Sequence, residues 1–110
     1  MLSRSSLPRA ERELYSRLRQ LLDTPGLLRG NLVEMRRTCG KASCRCLTAA
    51  RFRHVSLYLG LSLQGKRRMV YVPEDWAARV REWVRRHDDA RELLEKIALR
   101  CLQRLQQRQE

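Results

Sequence analysis

Three cysteines and one histidine are the residues best suited to chemistry. Cys39-Gly40-Lys41-Ala42-Ser43-Cys44-Arg45-Cys46 has C-x4-C-x-C spacing, and His54 follows eight residues after the last cysteine. Three thiolates and an imidazole make a tetrahedral structural set, with Zn2+ as the implied cofactor. Gly40, Lys41 and Ser43 keep the loop small and polar, and the neighbouring Lys and Arg favour thiolates. The spacing is less familiar than paired C-x2-C, so two other readings stand beside it. Zinc could take another fourth ligand, His54 then being a surface histidine among Arg51 and Arg53, or the cysteines could stay reduced and redox-active. Crowding of three cysteines without a secretion signal favours metal over disulfides. Cys101 lies far from the cluster and reads as a buried apolar residue.

A basic hairpin is the second feature. Arg67 and Arg68 follow a Gln64-Gly65 turn, Tyr58 and Tyr71 lie on the flanking segments, and Arg51 and Arg53 come just before. With Arg36, Arg37, Lys41, Arg45 and Lys66 they form a candidate nucleic-acid surface, since arginine forks grip phosphate or guanine and tyrosine stacks on bases. The plainer alternative is a solvated sheet face. Charge placement argues against it: of the formal net +12, residues 27–73 carry ten Lys or Arg against Glu34 alone, net +9. Residues 1–26 are net +2 and residues 74–110 net +1, their arginines mostly matched by acids and read as solvated. Only Lys41, Lys66 and Lys96 are lysines; the arginine bias suits bidentate phosphate contact, and a GC-rich genome would produce it too.

The elements that must position these residues follow from periodicity. Residues 8–22 predict a helix, with Pro8 in its first turn and Leu14, Leu18, Leu21 and Leu22 at helical spacing. Thr24-Pro25-Gly26 stops it. A strand is expected within 27–37, around Leu32, Val33 and Met35. The clearest strand alternates Val55, Leu57, Leu59, Leu61 and Leu63 with Ser56, Tyr58, Gly60 and Ser62, and it turns into Lys66–Val72. On that last strand Arg67, Met69 and Tyr71 face one way, Arg68, Val70 and Val72 the other. Pro73-Glu74-Asp75 opens a long helix whose Trp76, Val80, Trp83, His87, Ala90, Leu94, Ile97 and Cys101 run in 4-3 alternation, a coiled-coil seam. His87-Asp88-Asp89 is the expected place for a break, Asp being a poor interior helix residue.

The expectation is one α+β domain: an N-terminal helix over 1–26, a three-stranded antiparallel sheet with a zinc knuckle over 27–73, and a long helix over 74–110 for packing or dimerisation. That helix outreaches the sheet. Its far end needs the N-terminal helix, a second copy of the chain, or a larger protein complex as cover.

Arg29-Gly30-Asn31-Leu32-Val33-Glu34, then Cys39-Gly40-Lys41 with Cys44-Arg45-Cys46, His54, Gly65-Lys66 and Tyr71-Val72-Pro73 resemble a family of small uncharacterised prokaryotic proteins. Its pattern is R-G-x-L-V-E…C-G-K-x-x-C-x-C…H-G-P-Y-Y…G-K…Y-V-P, and many members are associated with mobile elements. The similarity covers roughly Leu28 to Leu99. This chain departs after His54, where Val55-Ser56 replaces Gly-Pro and Leu57 replaces a Tyr, so an aromatic surface there does not carry over. The resemblance implies no activity. Three strands followed by a helix also look like the sheet-reading DNA-binding modules of tyrosine recombinases, in architecture alone.

A chain of 110 residues excludes a large multi-domain enzyme, and its apolar runs are too short to span a bilayer. Ser and Arg in the first ten residues are followed at once by Glu11 and Glu13, with no signal-peptide apolar core, so the chain reads as cytoplasmic. No enzyme is expected: hydrolysis needs positioned carboxylates or a nucleophile–base pair, and the basic block offers Glu34 alone. The expected function is non-catalytic nucleic-acid binding, duplex DNA ahead of RNA, through sheet and knuckle. The alternative is an accessory subunit of a nucleoprotein complex, docked through the long helix.

Overall fold

The computed structural model describes residues 6–108. Helix α1 spans Arg9–Asp23, strands β1, β2 and β3 span Asn31–Arg37, His54–Leu63 and Lys66–Val72, and helix α2 spans Glu74–Gln107. The class is α+β, as expected. The chain forms two compact units, one of residues 29–84 and one of residues up to 28 with residues from 85 onward.

In the first unit the strands form an antiparallel sheet in the order β1-β2-β3. Alternation fixes its faces. Leu59, Leu61 and Val72 are buried on one face, together with Val80 and Val84 from the first turns of α2. Glu34 belongs to that face and meets Arg81 of α2 at 3.7 Å. β1 begins at Asn31, four residues later than the start of the apolar run at Leu27, because its register ends where Asn31 pairs with Gly60. The Gln64-Gly65 turn has positive φ at both residues, 55° and 76°. This is the mirror-image geometry that matches the twist of a two-residue hairpin, and glutamine tolerates it poorly.

In the second unit α1 and the C-terminal part of α2 run antiparallel. Glu11 near the start of α1 bonds Arg104 at 2.6 Å, and Arg86 donates to the Pro25 carbonyl beyond the end of α1 at 3.2 Å. Leu7, Ala90, Leu93 and Ile97 are buried here. The one buried residue of α1 is Glu11, at 1% exposure, rather than a leucine; Leu14, Leu18 and Leu21 are half-buried and Leu22 is exposed. Glu11 Oε1 holds Arg104, while Oε2 is buried without a hydrogen-bond partner among the described residues. That pairing pushes the Arg104 guanidinium further up. Burial raises the Tyr15 phenol nearby, aided by the adjacent Cys101 and Glu11.

Two expectations for α2 are corrected. The helix does not break at His87-Asp88-Asp89 but runs unbroken through it. Asp88 and Asp89 are exposed, so water solvates their carboxylates and little competes with the backbone ladder; Asp88 also bonds His87 Nδ1 at 3.2 Å. The seam also shifts: Val84 and Leu93 are buried, whereas Trp76, Leu94 and Cys101 are exposed. A straight helix drifts about 20° per heptad from a strict seven-residue repeat, which carries the later positions off the covered face.

Two stability changes follow. Gln64→Asn relieves the left-handed strain at the turn and is expected to stabilise by about 0.5–1 kcal/mol in urea melts. Arg104→Met strands a buried carboxylate and is expected to cost about 3 kcal/mol, most of it recovered in Glu11→Met/Arg104→Met, with both variants read by denaturant melts of helical circular dichroism.

Candidate functional site

Residues 38–53 connect β1 to β2. The connection is held by local turns: the Cys44 amide donates to the Lys41 carbonyl at 3.1 Å, Leu47 N–H to Cys44 at 3.2 Å, and Thr48 Oγ1 to Arg45 at 2.7 Å. Gly40 supplies the left-handed φ of 82° that turns the chain between the first two cysteines.

These turns gather Cys39, Cys44, Cys46 and His54, whose donor atoms all lie within 4.8 Å of one another. Cys39 and Cys46 Sγ are 3.8 Å apart, and Cys44 Sγ is 3.3 Å from His54 Nε2. A tetrahedral ion with bonds of about 2.3 Å to sulfur and about 2.0 Å to nitrogen needs S···S of about 3.8 Å and S···N of about 3.5 Å. The four residues fit such an ion. His54 stands at the first position of β2, paired with Arg37, so the sheet register itself delivers the fourth donor. Cys46 is buried at 1% exposure, and its Sγ accepts the Cys39 amide at 3.4 Å.

Ionisation within the cluster is uneven. The Cys46 amide holds the Cys44 thiol below its ordinary range, helped by the Cys46 and Cys39 side chains. For Cys46 the Cys39 amide acts in the same lowering sense, but burial and the neighbouring thiols outweigh it and the net shift is upward. Cys101 belongs to the other unit and is no part of the cluster.

The basic residues divide three ways. Lys41, Arg45, Arg51 and Arg53 are exposed on the knuckle. Arg37, Tyr58, Arg67 and Tyr71 share the open face of the sheet. There Tyr58 and Tyr71 meet edge to face at 5.7 Å, and the Arg37 guanidinium lies 5.0 Å from the Tyr58 ring. Arg36, Lys66 and Arg68 emerge on the opposite, aliphatic side, so Arg67 and Arg68 point apart.

Sequence reasoning passed over three participants. Phe52 carries two guanidiniums, Arg45 at 4.1 Å and Arg51 at 4.7 Å, and an aromatic set among arginines was the available signal. Met69 and Val33 are exposed on the open face beside the tyrosines. Arg29 donates to the Ser62 carbonyl, so it braces the sheet instead of facing a ligand. Gly60 leaves the middle of the open face without a side chain, and a Cβ there would press on Met69 Sδ at 3.1 Å.

Residues 7–82 match the family described as a domain of unknown function, DUF6788. The chain belongs to this family. The match contains α1, the whole sheet, all four cluster residues and the first turns of α2. No curated protein and no solved structure matches the chain. Among the described residues no helix is long and apolar enough to cross a membrane.

Titration with Co2+ as a spectroscopic probe is expected to saturate at one ion per chain, with thiolate-to-metal absorption. Cys46→Ser should abolish the signal and Cys101→Ser leave it intact. Acidification should weaken binding, because protons compete for all four donors.

Proposed function

We propose that the protein is a small zinc-binding, nucleic-acid-binding protein that grips duplex DNA, ahead of RNA, without catalysing a reaction on it. The observation that carries this reading is the disposition of Glu34. It is the one acid of the basic block, and it lies on the aliphatic face against Arg81. The open face and the knuckle therefore present Arg37, Lys41, Arg45, Arg51, Arg53 and Arg67 with no carboxylate from the block among them.

In this reading zinc is structural. Cys39, Cys44, Cys46 and His54 fill a tetrahedral shell, which leaves no open position for substrate and supports a non-catalytic role. The knuckle cations contact phosphates, and the Phe52 ring holds Arg45 and Arg51 in place on it. Arg37, Arg67 and the tyrosine pair face the groove, which admits a β-ribbon and reads arginine against guanine. The association of the resembling sequences with mobile elements accords with a DNA partner. A second reading, an accessory subunit of a nucleoprotein complex docked through α2, is favoured by the leucines that α2 leaves exposed.

The test is affinity for labelled duplex DNA and single-stranded RNA over a salt series with zinc-loaded protein. If about five phosphates are neutralised, the log–log slope on duplex should be about −4 to −5. Arg67→Ala should flatten it by about one, and Arg68→Ala, on the other face, by much less. Binding no tighter than millimolar at low salt, or equal effects of the two variants, would sink the reading.

A further inference from the structure

One row of residues across the open face of the sheet differs from its neighbours. Strand pairing sets Asn31 of β1, Gly60 of β2 and Met69 of β3 side by side, and alternation puts all three on the face that carries Arg37 and Arg67. Asn31 and Met69 are exposed, and Gly60 between them has no side chain. The Met69 thioether lies low over that gap, since a Cβ on Gly60 would stand 3.1 Å from its Sδ. Among the strand residues of this face Asn31 is the one with an amide side chain, which offers a hydrogen-bond donor and an acceptor at the same time. On one side the next row is Val33, Tyr58 and Tyr71, apolar or aromatic throughout; on the other Ser62 pairs with Arg67.

These groups match the edge of an A·T pair. Adjacent strands lie about 4.8 Å apart, so the row spans about 10 Å and fits across a major groove about 12 Å wide. In that groove adenine shows N7 as an acceptor and its N6 amino group as a donor, which one asparagine amide meets with two hydrogen bonds, while thymine shows its C5-methyl group. Asn31 at one side of the row suits the adenine, and the thioether of Met69 at the other suits the methyl. Gly60 in the middle lets the base edges come close to the backbone. A G·C pair in the same place sets guanine O6, an acceptor, against the amide oxygen of Asn31 and offers Met69 no methyl. Charge is complementary as well: Arg37 and Arg67 lie toward the two ends of this face, and its strands place no carboxylate on it.

We infer that Asn31 and Met69 read an A·T pair in the major groove, Asn31 the adenine and Met69 the thymine methyl. The inference rests on the proposed binding of duplex DNA and deepens it. The cations supply affinity without regard to sequence, and this row supplies preference for sequence.

The test is selection of duplexes from a random-sequence pool by the full-length zinc-loaded chain, followed by affinity measurements on the selected duplex and its base analogues. At least one A·T pair is expected to be fixed in the selected sequences, and its preference to vanish when the selection is repeated with Asn31→Ala. Uracil in place of that thymine removes the methyl alone and should weaken wild-type binding about fourfold. Replacing the adenine by 7-deazaadenine removes N7 and should weaken it about fivefold. The first loss should be absent in Met69→Ala and the second in Asn31→Ala. Both side chains are exposed, and the analogues probe the wild-type chain without any substitution. Selected sequences with no fixed A·T pair, or analogue losses that persist in the two variants, would overturn the inference while salt-dependent binding of duplex left the proposed function standing. A chain that binds no duplex at low salt would overturn both, so the salt series tells the two failures apart.

Discussion

A connection of sixteen residues leaves the sheet at Arg37 and must return to pair with that same residue at His54. Nearly all of it is exposed, and its one buried side chain is Cys46. Hydrophobic burial therefore cannot fix its path. The gathering of Cys39, Cys44 and Cys46 onto His54 does so instead: the imidazole is anchored by strand register, and the thiols converge on it through a left-handed turn at Gly40 and short 3₁₀ turns. The placement of Lys41, Arg45, Arg51 and Arg53 depends on that convergence. A metal ion bound there would supply folding free energy that so small a loop lacks.

Electrostatics completes what the knuckle begins. Ten cations crowded into 47 residues repel one another, and only one acid of the same block is present to relieve them. The fold places that acid with Arg81 on the covered face and leaves the cations spread over the knuckle and both sheet faces. Aromatic rings take up part of the load, Phe52 with Arg45 and Arg51 and Tyr58 with Arg37. Such contacts hold guanidiniums in fixed positions without neutralising them, so the surface keeps its positive field.

The helical unit solves its packing less completely. Among the described residues its most buried side chain is a carboxylate, tied to Arg104 by one oxygen and unpartnered at the other, and several leucines are left in solvent. A buried ion pair specifies a register more than it stabilises one, because the cost of desolvating both charges offsets much of their attraction. Antiparallel pairing of α1 with α2 is thereby defined at both ends, by Glu11 with Arg104 and by Arg86 with Pro25. The apolar stripe beside it stays uncovered.

The strands, their antiparallel order, the hairpin turn and the four candidate ligands were legible in the sequence, because alternation, a turn glycine and cysteine spacing are local signals. Local period also marked Arg67 and Arg68 as opposite-facing. Three things were decided only in the tertiary structure. His54 joins the cluster because strand pairing delivers it there, and no spacing rule states where a strand begins. Glu34 finds an ion-pair partner because α2, forty residues away in sequence, brings Arg81 to the face on which strand alternation had placed it. In the helical unit Leu93 is buried instead of Leu94 and Cys101, because a helix rotates away from a seven-residue repeat and its cover there is one short helix. Sequence period selects which residues can share a face; which face is covered depends on the partner that the chain brings to it.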